Sequence, residues 1–569
     1  MDKQLFYTAA DAFNDALVNA GIKYVFLNSG TDYPPIIETW AKCEALGRPK
    51  PEIIVCPQET VAMSAAHGYA LATGEPQGVF VHVDVGTQNL GGTVHNAARC
   101  HIPVLIFAGL SPFTMEGELP GGRNAHIQYA QNVIDQAGIV RQYTKHNEEI
   151  RTGKNIQQTL YRALQLSKSE PQGPVYLMAT REILEEAGTD IGGRVSEWQD
   201  TAPAGIDDDC AEEILSALES AAKPLIVTGY LGRNTDAVSE LTALCDRLSI
   251  PVVEAGATDM NFPYSHPMHA GFVAKPLAEE ADVIVVIDCD LPWMPCYVTL
   301  KPDCRVYCVD IDPIKDSIPL WHIPAKLNVR ANSLSVLRKW NKLLKDRAPL
   351  DAVRLKARLD RVAVLHNAVW VEADCPPTPG GGITPEFLAQ CISEVIDEDT
   401  ILVNEAITNR ETADRFLPRT KPGTYFCNGG SSLGWHGGTA IGLKLAQPDK
   451  TVVALTGDGS YIFSCPAAVH WVARRYNTPF LTVIFNNQGW NAPKNITANQ
   501  HPEGYAASTG HFWASLAPVM EYEKIAEAAG GAFARCVSEA GQLRQALTDG
   551  MDAVKNGQCA VINVILPPV

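Results

Sequence analysis

Gly457-Asp458-Gly459 is followed, after the 26 residues 460–485, by Asn486-Asn487 and then Gln488-Gly489-Trp490. One carboxylate, one amide oxygen and a nearby backbone carbonyl make a hard oxygen site, too sparse to hold a divalent ion alone. Mg²⁺ is held by such a set when phosphate oxygens and water complete its octahedron. The glycines on each side of Asp458 let backbone N–H groups approach a phosphate at a helix start. The elements needed to position these groups are legible around them. An apolar run at 452–455 reads as a buried parallel strand, helical character continues to about Tyr476, and 480–485 reads as a second strand. The two strands of a β-α-β unit run parallel, so Asp458 and Asn487 emerge on one edge of the sheet.

A second set of candidates lies near the start of the chain. Strands are predicted over 24–27, 53–55, 79–83 and 104–108, and their carboxyl ends carry Thr31, Glu59 and His82. Glu59 opens an Ala-rich helix that runs through Ala72, and the glycine in 83–89 is expected to mark the turn after the third strand. Strand–helix alternation predicts an α/β fold of doubly wound parallel sheets, with ligand-facing groups at strand carboxyl ends. A Gly-containing polar connection near 186–206 and a Pro- and Gly-rich one at 376–382 divide the chain into three units, 1–186, 205–345 and 375–569. The first and third units look alike. Arg99-Cys100-His101-Ile102-Pro103 and Arg475-Tyr476-Asn477-Thr478-Pro479 each precede an apolar strand.

Composition narrows the partners. The 569 residues carry a net charge of −18, which argues against nucleic-acid binding, and their 46% hydrophobic content is that of a well-packed globular protein. No apolar run is long enough to span a bilayer, and the expected compartment is the cytoplasm. The 15 cysteines are scattered, without a CxxC pair, and read as reduced thiols.

The GDG–NN spacing resembles the diphosphate-binding motif of thiamine-diphosphate (ThDP) enzymes, and the resemblance extends over essentially the whole chain. It is to the superfamily that includes acetolactate synthase, benzoylformate decarboxylase and pyruvate oxidase. The resemblance implies pyrimidine-binding, middle and diphosphate-binding domains in that order. It also implies a homodimer or homotetramer in which the first domain of one subunit and the third of another share a cofactor. Asp458 and Asn487 would then be side-chain ligands to Mg²⁺ and Gly489 a carbonyl ligand, with Gly457, Gly459 and Ser460 beside the diphosphate. Glu59, in ETVAMSAAHGYALATG, resembles the activating glutamate that bonds N1′ of the aminopyrimidine and promotes loss of the thiazolium C2 proton. Gln58 stands where the family usually has histidine. In Asn428-Gly429-Gly430-Ser431-Ser432-Leu433-Gly434, the Ser431 carbonyl would accept from the 4′-amino group, and Leu433 would be the apolar wedge under the two rings.

The resemblance also suggests substrate residues. His82 stands 23 positions after Glu59, where benzoylformate decarboxylase carries an active-site histidine, and Thr31 matches a hydroxyl residue in that enzyme's first loop. His266 or His269 is a candidate second histidine; Gln88, Gln128, Gln131, Trp490 and Lys494 are candidate pocket residues. The segment 288–295 lacks the basic pattern with which the synthases bind FAD, so no functional flavin is expected. The implied activity is ThDP- and Mg²⁺-dependent decarboxylation of a small 2-oxo acid, with or without carboligation. An acetolactate-synthase-type carboligase and a non-catalytic binding protein of the same fold stand as alternatives. The intact Glu59 and GDG–NN pair weigh against the last.

Overall fold

Apolar runs become strands where both faces of a sheet are covered by helices. In the computed structural model, which describes residues 6–369, 377 and 382–568, the first unit contains β1 (Tyr24–Leu27), β2 (Glu52–Val55), β3 (Gly78–Val81), β4 (Leu105–Leu110), β5 (His146–Glu149) and β6 (Val175–Thr180). They lie in the order β2-β1-β3-β4-β6-β5, all parallel. The middle unit has β7 (Pro224–Thr228), β8 (Val252–Glu254), β9 (Val283–Ile287), β10 (Arg305–Asp310) and β11 (Leu327–Arg330), ordered β11-β10-β9-β7-β8. The third has β12 (Ile401–Glu405), β13 (Tyr425–Cys427), β14 (Val452–Gly457), β15 (Leu481–Asn486), β16 (Phe533–Val537) and β17 (Ala560–Ile565), ordered β13-β12-β14-β15-β17-β16. The fold class is therefore α/β with three doubly wound parallel sheets. Of the Pro- and Gly-rich connection expected at 376–382, all but Pro377 and Gly382 lies outside the described residues.

Renumbered from their own first strands, the sheets of the first and third units have one order. Their internal likeness reaches single dihedrals. In Arg99–Pro103 and Arg475–Pro479 the third residue is left-handed, His101 at φ 54° and Asn477 at φ 50°. In each, the next N–H returns to the carbonyl five residues back: Ile102 to Ala97 and Thr478 to Ala473, both at 2.9 Å. The same turn feeds a central strand in both units.

These two units also share a core. The helix Glu59–Thr73 crosses the helix Trp435–Ala446, and Val61, Ala62 and Ala65 pack in one cluster with Trp435, Ala440 and Ile441. The crossing depends on glycine. A Cβ on Gly68 would lie 2.2 Å from the Thr439 carbonyl oxygen, and one on Gly442 2.0 Å from that of Ala65. One of the crossing helices opens with Glu59 and the other follows the Ser431–Leu433 stretch, so the crossing links two candidate segments.

Candidate functional site

The strands β14 and β15 are neighbours, with Gly457 opposite Phe485, so their carboxyl ends are level. Asp458 is the first residue of the short helix that follows β14, and Asn487 is the residue after β15. The helical stretch expected to reach Tyr476 is broken in two, Asp458–Phe463 and Pro466–Arg475, at Cys465, which is left-handed at φ 55° and precedes a proline. A cavity of about 390 Å³ opens at these strand ends. Ser431, Leu433, Gly457, Asp458, Gly459, Ser460, Asn487 and Gly489 all line it, and Trp490 forms part of its wall. A Cβ on Gly459 would come within 2.4 Å of the Trp490 indole nitrogen, so any larger residue there would have to displace the indole.

The Asp458 carboxylate is 2% exposed. Its Oδ1 accepts the Gly459 N–H at 2.8 Å, whereas its Oδ2 is buried without a hydrogen-bond partner. Burial raises its pKa against the pull of the Gly459, Gly489 and Gln488 N–H groups. A buried, unpaired carboxylate oxygen costs roughly 1–3 kcal/mol or more, and a cation removes that cost. Among the described residues no cluster of three or more His, Cys, Asp or Glu side chains could hold a metal. The donor set at Asp458 thus suits a hard divalent ion that brings phosphate and water ligands with it. Of the paired asparagines, Asn486 is structural: its Oδ1 accepts the Gln488 N–H at 3.1 Å and its amide donates to Asn563 at 3.0 Å. Asn487 is left to face the cavity. Ser431 at φ 59° and Gln488 at φ 61° are left-handed non-glycine residues, and such strained backbone gathers at ligand sites.

Glu405, which the sequence marks only as the end of a strand, fixes the Gly-rich segment. Its carboxylate accepts from the N–H groups of Trp435 and His436, each at 3.1 Å, and pairs with His436 Nδ1 at 2.6 Å.

Glu59 stands at the start of its helix and is 7% exposed. Asn89 donates to its Oε2 at 3.1 Å. The turn expected at the glycine in 83–89 lies earlier, at His82 and Val83, and Gly86 is inside the helix Val83–Asn89. A Cβ on Gly86 would meet Glu59 Oε1 at 3.3 Å, so this glycine gives the carboxylate room. Glu59 does not line the 390 Å³ cavity of its own chain.

Thr31 and His82 meet in a second, smaller space of about 10 Å³, together with Asp32, Gln128, Gln131 and Arg181. His82 Nδ1 is 2.5 Å from Asp32 Oδ1, and its Nε2 is 3.0 Å from Gln131 Oε1. Burial lowers the imidazole pKa, but the Asp32 hydrogen bond and charge, with Gln131 and Asp84, outweigh it and the net direction is up. Neither Asp32 nor Arg181 stood out in the sequence, since Asp32 lies in an ordinary turn beyond a strand and Arg181 opens a short helix, Arg181–Glu185, after one. His266 is not brought to either cavity; it pairs with Asp246 at 3.0 Å on the middle unit. His269 is buried against Glu254 at 2.9 Å.

Three family models match in the order of the three sheets: "Thiamine pyrophosphate enzyme, N-terminal TPP binding domain" over 7–139, the central domain over 211–337, and the C-terminal TPP binding domain over 407–564. The chain belongs to the thiamine-diphosphate-dependent enzyme superfamily. Among its relatives are benzoylformate decarboxylase of Pseudomonas aeruginosa, 23% identical with 85% of this chain and 87% of that one covered, and the acetolactate synthase isozyme 3 large subunit of Escherichia coli, 23% identical with 96% and 93% covered. The fold is that of a Rhodococcus jostii thiamine diphosphate-dependent 4-hydroxybenzoylformate decarboxylase (TM-score 0.80, 20% identity, 99% of each chain).

In this ThDP-superfamily chain the carboxyl edge of the middle sheet is filled by its own charges. Lys315 is 3% exposed and pairs with Asp310 at 2.8 Å and Asp290 at 3.0 Å. Tyr230 donates to Asp310 at 2.7 Å, and Arg233 pairs with Asp288 at 3.3 Å. This is the crevice in which a doubly wound sheet ordinarily takes a nucleotide. No helix among the described residues is long and apolar enough to cross a membrane.

Proposed function

We propose that this chain is a cytoplasmic, ThDP- and Mg²⁺-dependent enzyme that decarboxylates a 2-oxo acid without oxidation. The observation that carries the reading is the unpaired, buried Asp458 Oδ2 in a cavity lined by all eight cofactor residues expected in the third unit. Asp458, Asn487 and the Gly489 carbonyl hold the ion, and the backbone of Gly457, Gly459 and Ser460 faces the diphosphate. Ser431 and Leu433 receive the pyrimidine side. The bound cofactor supplies an electron sink at the carbon that loses carbon dioxide. Glu59 shares a proton with the pyrimidine N1′. His82 gives a proton to the former carbonyl carbon once the C1–C2 bond has broken and its electron pair remains there, so an aldehyde leaves. Thr31 contacts the substrate.

Because Glu59 stands apart from the Asp458 cavity within one chain, two copies are needed to bring them together, in a homodimer or homotetramer. The three units extend over 1–186, 205–345 and 375–569.

The E. coli acetolactate synthase relative, aligned over 96% of the chain, favours a second reading, in which a second carbonyl compound is joined before release. Carbon dioxide release from a panel of aliphatic and aromatic 2-oxo acids, with and without ThDP and Mg²⁺, tests the first reading. Analysis of the organic product as aldehyde or 2-hydroxy ketone separates the two. No cofactor-dependent release from any member would overturn both.

A further inference from the structure

Two glycines, Gly30 in the loop after β1 and Gly109 in β4, make way for one pair of side chains. A Cβ on Gly30 would lie 2.0 Å from His82 Nδ1, and one on Gly109 2.0 Å from Asp32 Oδ2. The space they leave is filled by the contact between Asp32 Oδ1 and His82 Nδ1 at 2.5 Å. The Asp32 side chain is 2% exposed, and its other oxygen accepts the Val83 N–H at 3.2 Å. The carboxylate is therefore anchored to backbone independently of the imidazole.

The other ring nitrogen also faces an acceptor, Gln131 Oε1 at 3.0 Å. With the Gln131 amide oxygen toward Nε2, a neutral imidazole, which has one N–H, can satisfy only one of the two acceptors, and an imidazolium satisfies both. The remaining charged groups around the ring are Asp84, in the first turn of the next helix, and Arg181. The Arg181 guanidinium is occupied by the carbonyls of Gly121, Gly122 and Thr31 and by the Asn124 side chain. It holds the loop beside the cavity and leaves Asp32 as the group that sets the ring's charge.

We propose that Asp32 is a positioning residue that holds His82 as an imidazolium, with Nε2–H presented at the point now taken by Gln131 Oε1, which marks the place of a substrate oxygen. The space of about 10 Å³ has room for at most one water, so a substrate takes this position by displacing the glutamine amide. The proposal rests on the decarboxylation reading for the identity of that oxygen. It makes His82 a proton donor from the start of the cycle: the Nε2 proton passes to the carbon that has lost carbon dioxide, and Nε2 takes a proton back from solvent once the product has left, while Nδ1–H stays on Asp32.

The test is an NMR titration of the intact protein carrying ¹³Cε1-labelled histidine, with the His82 signal assigned by its loss in His82→Gln. In the wild type the midpoint should lie above the ordinary imidazole value of about 6.5. In Asp32→Asn, which keeps the shape and removes the charge, it should fall by at least about one pH unit. The kcat for aldehyde release should decline with rising pH through the same midpoint and move with it, while ThDP affinity is unchanged. A wild-type midpoint at or below the ordinary value, or one that Asp32→Asn leaves in place, overturns the proposal. If Asp32→Asn fails to fold, the wild-type midpoint alone decides. The titration needs no turnover, so a raised, Asp32-dependent midpoint in a protein that releases no carbon dioxide would support the pair and refute only the decarboxylation reading.

Discussion

Asn89 donates a hydrogen bond to Glu59 Oε2 at 3.1 Å, so the carboxylate expected to serve the cofactor is oriented by its own unit. Glu59→Gln keeps an oxygen for Asn89 to bond and should keep the fold and ThDP binding. It should slow exchange of the ThDP C2 proton by on the order of 10²–10⁴-fold, the usual worth of a positioned acid or base. Exchange followed by NMR at the wild-type rate would remove Glu59 from this role.

Asp458 offers a sign test. Its Oδ2 is buried and unpaired, so the carboxylate is a liability in the ion-free protein. Asp458→Ala should leave the apo melting temperature equal to or above wild type, yet abolish the stabilisation that ThDP and Mg²⁺ give together. Thermal scans with both ligands, and again with a chelator, check this. A variant that still gains full stabilisation from the pair would disprove the metal assignment.

The glycine crossing of the two helices should be intolerant of even a methyl group. In Gly442→Ala the new Cβ meets the Ala65 carbonyl at 2.0 Å, a backbone atom that cannot rotate away. A loss of about 1–3 kcal/mol is expected, read as a lower urea midpoint. An unchanged midpoint would mean the helices part freely.

Much of this was legible in the sequence because the central strands of each sheet are uninterrupted apolar runs. Four edge strands were not. β5 reads His-Asn-Glu-Glu, β11 Leu-Asn-Val-Arg and β16 Phe-Ala-Arg-Cys-Val, each with partly exposed residues, and β13 is only three residues long. A strand paired on one side carries too little apolar pattern to stand out from a loop. The Asp458 set was legible because a motif with fixed spacing carries it. The Asp32–His82 contact spans 50 residues, and its partners Gly30 and Gly109 show their purpose only when the loop after β1 and the end of β4 are brought together.

Acid should destabilise the fold through two buried histidines. Burial pushes His67, stacked edge-on against Trp435, down to about 3, and burial with the nearby His436 does the same to His470. Below about pH 6.5 the unfolded chain binds protons at these rings and the folded chain does not. The contribution of these two rings is therefore lost as pH falls from about 6.5 towards 3, by roughly 1.4 kcal/mol per pH unit for each ring, against the opposite contribution of Asp259, which burial raises to about 7. His82 is raised, so its contribution is complete below its unfolded value and does not offset this slope. His67→Phe should preserve the ring contact and reduce the pH slope of urea stability by one histidine's share. An unaltered slope would show that His67 is protonated in the folded protein.

The middle unit yields the last prediction. A flavin or other nucleotide entering the crevice beyond β9 and β10 would have to displace Lys315 from Asp310 and Asp290. Breaking a buried pair by removing one partner costs about 3–5 kcal/mol. The protein should therefore purify without visible flavin absorbance and take up none when FAD is added. Lys315→Met should not create binding, because Asp310 and Asp290 would then face the phosphates with like charge. An absorbance spectrum of the purified protein checks the first expectation, and fluorescence titration with FAD the other two. Stoichiometric flavin in the wild type would mean that the Lys315 pairs open at a cost the ligand repays, and that this crevice is a cofactor site.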